Sequence, residues 1–205
     1  MRLNQQSAAV QGAFALAVGL LTGFLTLLGQ MALPGSLNSL ANSGAVWLIP
    51  AFFVAASAGK KLPAILLCAA TLLACVLSYY WFESLINRHS FDFSSRYLWI
   101  WLGCAAVAGV IFGFGAYLRS RKSAHYPWGT SLLPAVFLAE GLSEVLHLPD
   151  YRHMIPAVVG RILIGLALYF VLYKRDSLKG GPLASFLALS ALGLAGYELL
   201  LRVIA

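Results

Sequence analysis

The sequence predicts an all-α bundle of about seven membrane-spanning helices, a single transmembrane domain over residues 1–205. Three observations carry this. Of the 205 residues 60% are hydrophobic and only 10% charged, against about a quarter charged in a soluble domain, so water is not the solvent for most of the surface. Apolar runs close to the roughly 20 residues that a spanning helix requires recur from end to end. Those runs are continuously apolar and lack the alternation over about ten residues that marks a membrane β-barrel strand.

The first span is placed at 8–31. It exceeds the apolar core of a signal peptide, about 7–15 residues, and no small-residue cleavage site follows, so it reads as uncleaved. The others are expected at 38–59, 62–82, 97–118, 127–147, 154–173 and 182–203. Pro63, Pro127, Pro156 and Pro182 stand at or near the starts of four of them, where a missing N–H is tolerated. Pro50 and Pro134 fall inside spans and are expected to kink them.

The net charge of +7 would suggest nucleic acid if it lay on one soluble face. Instead it sits in short loops: Lys60 and Lys61; Arg119, Arg121 and Lys122; Lys174, Arg175 and Lys179. That is the pattern of cytoplasmic loops beside anionic lipid, so the bilayer is the expected partner and nucleic acid is not. With the N-terminus inside, Arg2 and those eight residues face the cytoplasm, against Arg88, Arg96, Arg152 and Arg202 outside. The expected location is a bacterial cytoplasmic membrane. The C-terminus then falls outside, and a six-span alternative in which 33–59 fails to cross stays open.

Spans two to seven can be read as three parallel hairpins, each returning from a proline. Tyr79, Glu144 and Glu198 then stand 16 or 17 residues after Pro63, Pro127 and Pro182, as in transporters built from parallel repeats.

Ionisable groups in a span are costly and usually face a bundle interior. Glu140, Glu144 and His147 fall at i, i+4 and i+7, one face of a helix. Arg161 on the next span lies at the depth of Glu140, both roughly 10–12 Å from the outer end at 1.5 Å per residue, so these two are expected to pair. Glu198 continues the stripe Ala184, Ala188, Ala191 and Ala195, whose packing should turn it inward. Tyr79, Tyr80, Trp81, Glu83, His153, Tyr197 and Asn42-Ser43-Gly44 stand at the same level. Either these residues line a cavity open to the outside, which binds a small molecule or a proton, or they lock helices together. The candidate ligand- or proton-binding set is Glu140, Glu144, His147, Arg161, Tyr197 and Glu198.

Other chemistries have weaker signatures. Glu144 and His147 form one Glu-x-x-His step, but a di-iron bundle requires a second copy, so neither metal nor cofactor is expected. No nucleophile-elbow serine or His-Glu-x-x-His motif is present, although a carboxylate pair could serve an embedded lipid enzyme. Cys68, Cys75 and Cys104 lie inside spans without metal-ligand spacing and read as inert. Gly12, Ala15, Gly19 and Gly23 form one stripe and Gly109 to Gly113 a GxxxG. Both suit close packing, within the chain or against a partner subunit or second copy.

The stretch Leu40-Ala41-Asn42-Ser43-Gly44-Ala45-Val46-Trp47, followed by Ala51-Phe52 and a basic turn, resembles a family of small bacterial membrane proteins of unknown function. The Gly109 to Gly115 region and Glu140 extend that resemblance over most of the chain; it implies a polytopic fold and no particular activity. A looser similarity is to the substrate-capturing subunits of energy-coupling-factor vitamin transporters, which open outward and dock a partner through small-residue faces. The seventh span and outside C-terminus depart from them.

Overall fold

The computed structural model describes residues 6–121, 124–149, 152–174 and 178–204; Arg2, Lys122 and Arg175 lie outside them. Its helices are α1 (Ala8–Ala32), α2 (Asn38–Ala41), α3 (Gly44–Ala56), α4 (Lys61–Ile86), α5 (Arg96–Arg121), α6 (Tyr126–Leu146), α7 (Ile155–Tyr173) and α8 (Gly180–Ile204). Seven helical passages are long and apolar enough to cross a membrane. The chain is therefore a multi-pass membrane protein. Ser7 caps α1 by accepting from the Val10 N–H, and Pro63, Pro127, Pro156 and Pro182 all fall in first turns. Pro50 and Pro134 lie inside α3 and α6.

Small residues set how these helices meet. A Cβ on Gly19 would collide with the Thr71 carbonyl and Ala74, and one on Gly23 with the Cys75 carbonyl and Ser78. Ser78 also donates to the Leu20 carbonyl at 2.6 Å. The pairing of 19 with 71–74 and 23 with 75–79 makes α1 and α4 parallel. Their starts then share one end of the bundle, so the chain must cross back between them, and 33–59 spans. That excludes the six-span arrangement. Gly109 and Gly113 press onto Ala69, Ile65 and Cys68, making α5 antiparallel to α4. These stripes are consumed within the chain, except that Gly12 faces open space.

The second span departs from its expected form. Instead of one helix over 38–59 it is broken at Asn42–Ser43, with α2 and a preceding 3-10 turn (Gly35–Leu37) lying across the end of the bundle. Asn42 leaves the helical region and Ser43 is extended (φ −83°, ψ 130°), because the Ser43 hydroxyl caps a fresh helix by accepting from the Val46 N–H. Beyond the break α3 runs through the centre, its Ala45, Ala51, Phe52 and Ala55 wholly buried. The Trp47 indole N–H is satisfied by Thr26 Oγ1 at 2.9 Å.

The three expected hairpins are not equivalent. α3 packs on α4 and α5 on α6, whereas α7 and α8 each pack mainly along α6. They meet at one end only, where Phe186 stacks on Tyr169 with centroids 4.4 Å apart and Ser131 bonds both Tyr173 and Ser185. Those contacts also overturn the expected face of α8. Its buried residues include Ser185, Phe186 and Ser190, while Ala184, Ala191 and Ala195 are exposed and Ala188 half-buried. A phenyl ring and paired hydroxyls contribute more contact than a row of methyls, so they take the interface.

Charge divides the bundle. Lys60, Lys61, Arg119, Arg121, Lys174 and Lys179 gather at one end, here the basic end. Every described carboxylate (Glu83, Asp92, Glu140, Glu144 and Glu198) lies toward the other.

Gly19→Leu should destabilise the protein by about 3 kcal/mol, the upper range for overpacking, since backbone carbonyls cannot yield as a side chain would. Gly12→Leu should be neutral. Unfolding of both variants in mixed micelles, compared with the parent, checks the contrast.

Candidate functional site

The break in the second span faces the middle of α6. On α6, Glu140, Ser143, Glu144 and His147 share one face by helical spacing. Arg161, on the opposing α7, has a side chain only 4% exposed. Its Nη1 donates to Glu144 Oε2 at 3.0 Å and its Nε lies 3.3 Å from Glu140 Oε1. Its Nη2 donates to the Ser39 carbonyl at 3.0 Å and to Ser39 Oγ at 3.3 Å. The Nε contact is an ion pair without hydrogen-bond alignment, which leaves that buried N–H without an acceptor. Ser43 completes the site by donating its hydroxyl to Glu140 Oε2 at 2.5 Å, and the Tyr197 side chain faces Glu140 from α8.

The electrostatics follow from the break. Where α2 stops, its carbonyls are free to take a cation, and Ser39 gives one to Arg161. Where α3 starts, its N–H groups and positive dipole end favour an anion, and Glu140 lies there, bonded through the cap serine. An uninterrupted second span would offer neither group.

A second group stands nearer the end of the bundle. Glu198 accepts from Ser143 Oγ at 2.7 Å and meets His147 Nε2 at 3.3 Å. Its side chain is 32% exposed and that of His147 43%. Serine, histidine and a carboxylate are thus together, but both partners point at Glu198. Serine is not bonded to histidine, so the hydroxyl has no histidine base of the kind a serine nucleophile uses.

The expected pair Glu140–Arg161 therefore forms, with Glu144 as a second carboxylate on the same guanidinium. Tyr197 joins it. His147 and Glu198 associate with each other rather than with Arg161. Glu144 and His147 consequently turn to different partners. Among the described residues no group of three or more His, Cys, Asp or Glu is placed to hold a metal. Tyr79 lies tilted against Trp47 and edge-on to Tyr80, and Glu83 bonds Asn87 and approaches His89; Tyr80, Glu83 and His89 line a separate cleft of about 150 Å³ with Phe91 and Asp92. His153 is exposed. Ser39, Ser43 and Ser143 complete the site. Ser43 was flagged by its segment, and Ser143 lies on the expected α6 face, but the Ser39 contact is largely to backbone and has no side-chain signal.

Residues 2–203 match the family of unknown function DUF6518. The chain belongs to that family. No curated protein and no solved structure matches it. The expected resemblance to a family of unknown function is thereby borne out, while the similarity to vitamin-transporter subunits gains no support.

Two tests follow. Arg161→Met should cost about 3 kcal/mol, the lower figure for orphaning a buried ionic partner, since Glu144 remains 27% exposed. Adding Glu140→Gln and Glu144→Gln should recover most of it, measured by unfolding in mixed micelles. In the loop after α4, His89 titrates above its ordinary value because the Ser90 carbonyl and then Glu83 accept from its ring. A raised histidine stabilises below its ordinary value of about 6.5 and loses that contribution as pH climbs through the raised one. Protection factors of the amides in 87–95, with the intrinsic base-catalysed rate divided out, should accordingly fall with rising pH, and His89→Ala should remove that fall.

Proposed function

We propose that the protein is a small-molecule binding or transport component of a bacterial cytoplasmic membrane, with its N-terminus in the cytoplasm and its site in the outer half of the bilayer. The observation that carries this reading is two carboxylates on one buried guanidinium at a broken span. Glu140 and Glu144 together bring one negative charge more than Arg161 neutralises, and a surplus charge at this depth is costly unless a proton or cationic group takes it up. Discontinuous spans are where membrane transporters place such sites, because freed backbone groups can serve a ligand there.

In this reading Glu140 and Arg161 are the central pair, with Ser43, Ser39 and Tyr197 holding them. Glu144, the most exposed of the three charged side chains, is the carboxylate that exchanges Arg161 for a proton or for the cationic part of a solute. His147 and Glu198 stand toward the end of the bundle as the entrance. The basic end, rich in Lys and Arg, supports the assigned orientation. A lipid enzyme using the same carboxylates is the weaker reading, since Ser143 lacks a histidine base.

Native mass spectrometry of protein purified gently from its own membrane should show a bound small solute. Glu144→Gln should lose that solute while keeping the parent's helicity and unfolding midpoint. A solute retained equally by Glu144→Gln and Glu198→Gln would show that the site lies elsewhere.

A further inference from the structure

Far from the carboxylates, a groove of about 510 Å³ runs between α4, α5 and α6. Its walls are Ile65, Val110, Ile111, Leu118 and Leu132, with Lys61 and Trp128 toward the basic end. Its floor is deep because α5 and α6 cross at Gly115 and Gly129, where a Cβ on either would strike the other helix. From Leu118 to Val110 the groove descends about 12 Å at 1.5 Å per residue. That is most of one leaflet, since the whole hydrocarbon core is about 30 Å thick. The groove therefore reaches from the basic end to near the middle of the bilayer.

The basic end is rich in cations. Lys61 Nζ sits 4.7 Å from the centre of the Phe114 ring, which also lines the groove. Phe114 stacks on Tyr117, and Arg121 lies 5.6 Å over Tyr117, so two cations border the same run of rings. Among the described residues no carboxylate lies at this end. Trp128 is 46% exposed there, in the position of an interfacial anchor.

We infer that this groove is a binding site for one anionic phospholipid, an acyl chain lying between α5 and α6 and the phosphate meeting Lys61. A chain of one leaflet's length matches the depth, and the phosphate supplies a negative charge beside Lys61. Basic pockets between spans are a recognised form of lipid headgroup site. A zwitterionic lipid also brings a phosphate, but its own headgroup cation offsets that charge, so it gains less at Lys61.

The test uses full-length protein in mild detergent, titrated with phosphatidylglycerol or phosphatidylcholine and followed by native mass spectrometry. One phosphatidylglycerol should be retained with roughly fivefold preference, the factor expected for a single lysine near anionic lipid. Lys61→Ala should bring the two lipids to parity, Lys61→Arg should keep the preference, and Val110→Trp, which fills the groove, should weaken both. Phosphatidylglycerol carrying a diazirine on its acyl chain should label Val110, Ile111 or Leu132. Parity in the parent protein overturns the proposal, as does a preference that survives Lys61→Ala. So would label spread over every helix or found on a second copy of the chain, or full displacement of the lipid by glycerol phosphate alone.

Discussion

A guanidinium held among apolar helices must be both neutralised and hydrogen-bonded, and the upper part of this structure is arranged to do that for Arg161. The partners come from two elements: Glu140 and Glu144 from α6, and the Ser39 carbonyl and hydroxyl from α2. The packing of α7 on α6 and the break in the second span are thus parts of a single solution. Breaking a spanning helix exposes backbone groups that hydrocarbon cannot satisfy. Here the freed carbonyl is taken by the guanidinium and the fresh N-terminus by a capping serine that also serves Glu140.

Beneath the site the architecture rests on close backbone approach. α1 and α4 run parallel and touch through Gly19 and Gly23. α6 and α8 are likewise parallel, since Ser131 meets Ser185, Gly193 meets Ala139 and Ser143 meets Glu198. In each half a third helix returns the chain between the parallel two: α3 in one, α7 in the other. In lipid, association gains little from apolar burial, because the tails are as apolar as leucine, so contact at glycine and paired hydroxyls carries the packing. The lipid-facing remainder is free to be leucine, valine and phenylalanine, and many of these are exposed.

Much of this was legible in the amino-acid order. Span positions followed from apolar length and from proline, and the pairing of Glu140 with Arg161 followed from equal depth on adjacent spans. What could not be read has physical causes. The break at Asn42–Ser43 lies in the polar stretch Asn38-Ser39-Leu40-Ala41-Asn42-Ser43-Gly44, whose capping residues fall inside the expected span because the apolar run after them is too short to cross alone. The alanine stripe of α8 misled because small residues permit close packing without requiring it, and Phe186 and Ser185 offered more. Depth alone does not say which way a long side chain turns, so the contacts of Glu198 with Ser143 and His147 could not be read. The backbone contact at Ser39 has no sequence signature at all.

The second span is also short. Its α3 portion has 13 residues, about 20 Å of helix against a hydrocarbon core of about 30 Å. Lipid cannot make up the difference by thinning, because α3 is enclosed by α1, α4, α5 and α6. The missing length is instead roofed by residues 35–41, which rest against α1 and α7, and the polar tie from that roof to α7 is Ser39 to Arg161. The same guanidinium therefore serves as counter-ion below and as latch above.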